Sequence, residues 1–402
     1  MNNMSRLMSR LMSKVRPSAG IVACVALLLG VGIVMVLASS PYSSLVTYGS
    51  VWSVFEHQIA WILLGTVAFV VAAMIPTSFI RKLRYPMLAV ALVLLVAVLA
   101  PGIGHSVSGS SRWLAFGPVT IQPSEIMKFA WCVFAADLLA RRVGEDWRPK
   151  DALIPLLSLL AVSCALIVKQ PDLGTTIVIV CITIAMMVTS GLPVSVVLKV
   201  TLGLFGIGAG LAFAAPYRRA RLLSFVHPFA HEYGSGYQVV QSLISLGTGG
   251  VSGVGLGRGS AQWGFLPHAH TDFIFSIIGE QAGLVGTVLV VVLIFVLLGM
   301  GIRVATAASG KFESLLAVAI TCWLAAESII NIGATLGLLP VTGIPLPLVS
   351  YGGSSMLITM AAIGVLLRVA IDSEKGLTVI EGGLARSSRH PVYGRPMGHA
   401  NG

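Results

Sequence analysis

What most constrains this chain is a series of apolar stretches, each about as long as a bilayer is thick. A helix crossing roughly 30 Å of hydrocarbon needs about 20 mainly apolar residues. Ten candidates lie at residues 19–39, 54–75, 86–101, 122–140, 152–168, 173–191, 194–215, 272–301, 312–336 and 348–370. The pair 173–191 and 194–215 is parted only by Gly191-Leu192-Pro193 and reads either as two spans or as one broken helix. Only 10% of the 402 residues are charged, against about a quarter in soluble domains, which excludes an ordinary water-soluble enzyme. The expected fold is an all-α polytopic membrane protein of about ten transmembrane helices. A large extracytoplasmic loop, residues 216–271, separates helices 7 and 8.

A formal charge of +11 points at first to nucleic acid, but the basic residues are spread over many short loops. Positive loops on the cytoplasmic side of a membrane account for them more simply, so no nucleic-acid partner is expected. With the N-terminus inside, 18 of the 26 Lys and Arg fall in inner segments and 6 in outer ones, while Lys128 and Lys199 lie within spans. Both termini are therefore expected in the cytoplasm. The first stretch has the basic n-region and apolar core of a signal peptide, but its length and the nine spans after it read as an uncleaved helix. Residues 1–18 form a short cytoplasmic segment, 19–371 the transmembrane domain, and 372–402 a polar tail expected to be disordered. The five cysteines all lie in apolar stretches without a CxxC, so neither a disulfide framework nor a thiolate metal site is implied. No internal repeat is evident, which disfavours the inverted-repeat transporter plans.

Ionisable groups inside a membrane are costly, and each is a functional-site hypothesis. Glu125 and Lys128 are three apart near the outer end of the fourth span, on one helix face. Lys169 and Asp172 bracket a short outer turn, and Arg112 stands in the outer loop before it. Arg218, Arg219 and Arg221 open the large outer loop, which also holds Arg258 and ends in His270-Thr-Asp-Phe273. All of these gather at the outer leaflet; Asp137, near the inner end of its span, and Glu327, mid-span, are the exceptions. Each has a bland reading too. Glu125 and Lys128 could satisfy each other in a bundle, Asp172 and Asp272 could be helix caps, and Glu280 and Glu327 could be buried and hydrogen-bonded without chemistry. His268 and His270 lack metal-ligand spacing, and the glycine run 247–259 is neither a Walker nor a Rossmann loop. As a group, the outer cations and carboxylates suit an anionic lipid substrate, with a diphosphate held by charge-assisted hydrogen bonds beside a carboxylate base.

Five motifs carry a resemblance. They are Gly109-Ser-Ser-Arg-Trp-Leu114 through Gln122-Pro-Ser-Glu-Ile-Met-Lys128; Lys169-Gln-Pro-Asp-Leu-Gly-Thr175; Gly236-Tyr-Gln-Val-Val-Gln-Ser242; Gly264-Phe-Leu-Pro-His-Ala-His-Thr-Asp-Phe-Ile-Phe275; and Leu339 through Ser355. In order, and over roughly residues 20–372, they resemble the SEDS glycosyltransferases (shape, elongation, division and sporulation proteins). Gly236–Ser242, the run Gly253-Val-Gly-Leu-Gly257 and Trp263-Gly-Phe-Leu-Pro267 look like the family's cell-division branch rather than its rod-elongation branch. The resemblance implies a ten-helix septal peptidoglycan polymerase in the bacterial cytoplasmic membrane. Such an enzyme joins lipid II disaccharides to a lipid-linked glycan at the outer face and releases undecaprenyl diphosphate. The implied partners are a class B penicillin-binding transpeptidase and other divisome proteins.

The family's essential aspartate maps onto Asp272, its outer-loop arginine onto Arg112, and its fourth-helix acid and lysine onto Glu125 and Lys128. Lys169, Asp172, Ser354 and Ser355 match positions lining the family's cavity. His268 and Gln281 stand where the family usually carries acids. On this reading Asp272 is the base for the acceptor 4-OH. A carboxylate's ordinary pKa near 4 is low for that work, and partial burial would raise it. Arg112, Lys128, Lys169 and the 218–221 group would stabilise charge on the departing diphosphate, with a divalent cation, magnesium or manganese, left open. The Pro-rich stretch 339–347 cannot be regular helix and is expected to line the cavity. Two rivals remain: a lipid II flippase, for which Asp137 and Glu327 would supply the inner polar route, and a non-catalytic division scaffold.

Overall fold

In a computed structural model of the chain, the described residues are 15–102, 104–107, 110–117, 119–144, 147–214, 219, 225–231, 234 and 236–387. Helices α1 (Pro17–Ser39), α2 (Pro41–Tyr48), α3 (Ser53–Met74), α4 (Thr77–Lys82) and α5 (Arg84–Ala97) come first. A three-stranded antiparallel sheet follows, β1 (Gly104–Val107), β2 (Ser110–Phe116) and β3 (Val119–Ile121), in that spatial order. Then come α6 (Pro123–Arg142), α7 (Pro149–Lys169), α8 (Leu173–Thr189), α9 (Val194–Ala214), α10 (Tyr237–Gly249), α11 (Ile274–Ala307), α12 (Lys311–Thr335) and α13 (Gly353–Ser387).

Seven of these helices are long and apolar enough to cross a membrane: α1, α3, α7, α9, α11, α12 and α13. The short apolar helices α5 and α8 and the 20-residue, charge-bearing α6 bring the number to the ten expected. The all-α expectation needs one correction. Strands β1, β2 and β3 form a small sheet where a loop was expected, because Trp113, Val119 and Ile121 favour strand and Gly117 turns the chain at φ 63°. The uncertain pair is resolved as the two spans of the ten-helix count: α8 and α9 are separate helices, parted by a turn in which Gly191 takes φ 91° and Pro193 interrupts backbone donation. The last span starts at Gly353 rather than residue 348 and its helix runs to Ser387, past residue 372 where the polar tail was expected to begin.

The bundle has a protein-facing centre. Trp131, Ala135 and Leu139 of α6 are wholly buried, as are Leu316, Ile320 and Trp323 of α12, and both helices pack against α8. That is why α6 tolerates charge: its neighbours are helices, not lipid. By contrast α9 is almost entirely uncovered, with 6% of its apolar window buried. The 34-residue α11 breaks at Gly283 (φ 66°, ψ −161°), where any Cβ would collide with the backbone of Val251 and Gly253. That close approach seats the loop after α10 against the helix that follows Asp272.

Candidate functional site

The site assembles around the N-terminal end of α6, where Glu125 and Lys128 lie. Pro123 occupies its first turn, where a missing N–H costs nothing. Extended Gln122 precedes it, and its N–H donates to Ser354 Oγ at 3.1 Å, tying α6 to the start of α13. Its side-chain amide donates to Ser124 Oγ at 2.9 Å and to Asp172 Oδ2 at 3.1 Å. Asp172 caps α8, as its position after Pro171 suggested: Oδ1 accepts the Thr175 N–H at 3.2 Å, while Oδ2 accepts the Thr175 hydroxyl at 2.8 Å and Ser124 Oγ at 3.1 Å. The carboxylate is buried and occupied by its own protein. Arg112, half-buried on β2, donates Nε to the Gln170 carbonyl at 3.0 Å and its terminal nitrogen to the Pro171 carbonyl. It therefore fixes the turn that carries Lys169, which is itself exposed.

One turn further into α6, Lys128 is 1% exposed and shared by two carboxylates. Its Nζ lies 2.9 Å from Glu125 Oε2 and pairs also with Glu327 Oε1, and it sits 4.8 Å from the ring centre of Trp323. Glu327, a mid-span outlier in the sequence, is thus the third member of a buried triad. The other exception, Asp137, lies at the opposite end of α6 among Arg81, Arg84 and Arg141.

Asp272 is half-buried in the turn that enters α11. The cap position of that helix is Phe273, the residue after Asp272. The turn forms because His268, at φ 59°, offers one carbonyl to the N–H groups of Thr271, Asp272 and Phe273. Asn331 locks it in place: its Nδ2 donates to the carbonyls of Asp272 and Ile344, each at 2.8 Å. The Pro-rich segment passes directly beside the carboxylate, since a Cβ on Gly343 (φ 79°) would stand 3.6 Å from Asp272 Oδ2. The same segment meets α8, where Thr342 and Ile344 crowd Gly174. The segment is non-helical, as its prolines require, and it joins the surroundings of Asp272 to those of Asp172.

Beside this turn lies a recess of about 180 Å³ lined by Tyr42, Ser43, Gln262, His268 and His270, among others. Burial pushes the His270 imidazole down to about 4, and neighbouring His268 adds to the effect. Tyr351, whose ring lies 5.6 Å from that of His270, is pushed up to about 12 by burial. Both are neutral at physiological pH. Glu280 and Gln281 shape the loop opposite: Glu280 Oε1 accepts from the Ser260 N–H at 2.7 Å, and Gln281 Oε1 from the Gly257 N–H at 3.1 Å. An amide serves at 281 because its task is to hold backbone.

Ser355 is half-buried and lines a narrow recess with Pro345, Pro347 and Gly352. Arg219 and Arg258 are exposed; Arg218 and Arg221 lie outside the described residues. No three His, Cys, Asp or Glu side chains gather as a metal-binding group among the described residues. Sequence reasoning missed Asn331 and Gln122. Asn331 carried a usable signal, a polar residue within an apolar span four positions after Glu327.

Residues 19–375 match the family model FTSW_RODA_SPOVE, described as cell cycle protein. The chain is 39% identical over 363 residues to the "Probable peptidoglycan glycosyltransferase FtsW" of Mycobacterium tuberculosis, covering 90% of this chain and 69% of that one. A protein of the same description from Coxiella burnetii is 37% identical, with 89% and 96% covered. Among solved structures, a chain of a peptidoglycan synthase complex that coordinates polymerization and crosslinking superposes with a TM-score of 0.72 at 29% identity, covering 88% of this chain and 97% of that one. The rod shape determining protein RodA of Thermus thermophilus gives 0.65 at 28%, covering 88% and 96%.

Proposed function

The chain belongs to the cell cycle protein family FTSW_RODA_SPOVE, as a multi-pass membrane peptidoglycan glycosyltransferase of the cell-division type, and from that premise we propose how its residues do the work. The substrate is lipid II and the acceptor hydroxyl is its GlcNAc 4-OH. Asp272 takes the proton from that hydroxyl as the oxygen attacks the anomeric carbon of the lipid-linked glycan. The bond from that carbon to the diphosphate oxygen breaks, undecaprenyl diphosphate leaves without needing a proton, and the single displacement inverts the centre.

The observation that carries this reading is the way Asp272 is held. Its backbone is bonded by Asn331 and its carboxylate faces Gly343, beside a recess of about 180 Å³ with room for part of a sugar. A base must sit within hydrogen-bond reach of its proton in a fixed pose, and this turn supplies the fixing. The exposed cations Lys169, Arg219 and Arg258 are assigned to the diphosphate, with Arg112 setting the turn that carries Lys169. Lys128, enclosed by Glu125 and Glu327, pins α6 to α12. A magnesium or manganese ion, where one serves, would supply further positive charge at the diphosphate. Both termini face the cytoplasm, the site opens on the outer leaflet at the septum, and a class B penicillin-binding protein is the partner.

The test supplies lipid II to the purified chain with that partner. Asp272→Asn, which preserves shape, is expected to lower polymerisation by about 10³-fold, within the range of general-base contributions. Undiminished polymer from the folded variant refutes the role of Asp272. Vesicles that translocate lipid II without making polymer would turn the assignment toward a flippase. Outer-face labelling of a cysteine placed near residue 145 would overturn the orientation.

A further inference from the structure

The end of α6 away from Asp172 carries a charge cluster for which polymerisation has no use. Asp137 lies twelve residues beyond Glu125, about 18 Å along a helix axis. Its side chain is 1% exposed and three guanidiniums converge on it: Arg81 Nε at 2.7 Å, Arg84 Nε at 2.8 Å and Arg141 at 2.5 Å. One carboxylate neutralises one of them, which leaves two positive charges uncompensated within the cluster. Glu313, at the start of α12, accepts the Thr77 hydroxyl at 3.1 Å and keeps its charge, but among the described residues it makes no ion pair with these arginines. Exposed Lys82 and Arg142 flank the cluster on the sequence and add to its sign.

The arginine side chains remain 24–39% exposed, and their geometry is set in advance. Arg81 spends Nε on Asp137, while Arg84 Nε lies 2.8 Å from the same carboxylate as an ion pair and has no hydrogen-bond partner of its own. Arg81 lies 5.2 Å from the Phe312 ring centre and Arg84 4.7 Å from that of Tyr85. Arg84 donates a terminal nitrogen to the Arg81 carbonyl at 3.0 Å, and Arg141 donates to the Tyr85 hydroxyl at 3.4 Å. Tyr85 itself is exposed, as aromatic residues at the headgroup level are. Immobilised guanidinium forks match phosphate oxygens in pairs, and basic recesses between transmembrane helices on this side of a membrane take phospholipid headgroups.

We propose that Arg81, Arg84 and Arg141 form a binding site for the phosphodiester of an anionic phospholipid, with doubly charged cardiolipin matching the two uncompensated guanidiniums. The bound lipid seals the junction of α4, α5, α6 and α12. The site stands apart from the catalytic assignment and relies on the orientation only to name the leaflet as cytoplasmic.

Native mass spectrometry of the purified chain in micelles containing equal amounts of cardiolipin and phosphatidylethanolamine tests it. The wild type is expected to retain one cardiolipin selectively. Arg81→Gln and Arg84→Gln are each expected to lower that retention about fivefold, and Asp137→Asn, which removes the competing carboxylate, to raise it. Arg84→Lys keeps the charge while losing the fork, and serves where the Gln variants do not fold; a partial loss is expected there. Equal retention of the two lipids overturns the proposal, as does unchanged selectivity in the Lys and Asn variants. Displacement of cardiolipin by inorganic phosphate would make this a free-phosphate site, and displacement by undecaprenyl diphosphate a substrate site; either result also overturns it.

Discussion

The two ends of α6 solve the problem of buried charge in opposite ways. Near the N-terminal end one cation, Lys128, is shared by two carboxylates, and side chains of all three are at most 4% exposed. At the other end one carboxylate, Asp137, is shared by three cations whose side chains reach the surface. The first cluster is closed: Lys128 is enclosed by Glu125, Glu327 and the Trp323 ring, and nothing more can approach it. The second is open and has charge to spare. Burial therefore separates a group that pins helices from a group that can still recruit a ligand, although both read in sequence as misplaced ions.

The strongest way to break that contrast is to remove the shared cation. Lys128→Met leaves Glu125 and Glu327 facing each other in a dry interior and should cost about 3–5 kcal/mol, as breaking a buried ion network does. The loss would be read as a lowered midpoint of unfolding in detergent. Adding Glu125→Gln and Glu327→Gln should restore most of it, since neutral replacement of a whole network is often tolerated. If Lys128→Met instead folds normally and fails only with lipid II, then Lys128 is a substrate cation after all and the closed end is not closed.

The next effect belongs to His270, close to Asp272. Burial holds its imidazole neutral, with a pKa near 4 against about 6.5 in an unfolded chain. The unfolded state therefore takes up the proton first as pH falls. The contribution is complete above pH 6.5 and is lost between about 6.5 and 4, by up to tenfold in the folding constant per pH unit. Comparing unfolding of the wild type and His270→Gln across that window isolates it. Parallel curves would mean that this corner is wetter than its packing against Tyr351 indicates.

The spans were legible in the sequence because they rest on length and periodicity, which are local. Asp172 was legible as a cap for the same reason: Thr175, which supplies the bonded N–H, is three residues away. Glu327 was not, because its partner lies 199 residues distant and only packing of α6 on α12 brings them together. Asn331 escaped for a related reason, since its role depends on where Asp272 and Ile344 meet. The sheet at 104–121 was hidden by its brevity and by Gly and Ser residues that look like loop. Removing the local device, by Asp172→Ala, should cost about 1–2 kcal/mol for the lost cap, and it also leaves Ser124 and Gln122 without their acceptor. Unfolding midpoints measure it. A loss as large as that of Lys128→Met would show that Asp172 holds the network with Ser124 and Gln122 as a whole rather than one helix end.

Asp137→Asn should have the smallest effect of all and sharpens the comparison most directly. It deletes the one anion among three cations, as Lys128→Met deletes the one cation between two anions, so by charge arithmetic alone it ought to be the worse change. Exposure argues otherwise. The guanidiniums of Arg81, Arg84 and Arg141 can turn to water, and screened surface pairs contribute about 1 kcal/mol or less each. The asparagine oxygen still accepts from one of them. The midpoint of unfolding should fall by no more than about 1 kcal/mol in free energy, and the shift should shrink further in added salt, which screens the repulsion among the three arginines. A loss matching that of Lys128→Met, and indifferent to salt, would show that the arginines around Asp137 cannot turn to water and that the two ends of α6 are built alike.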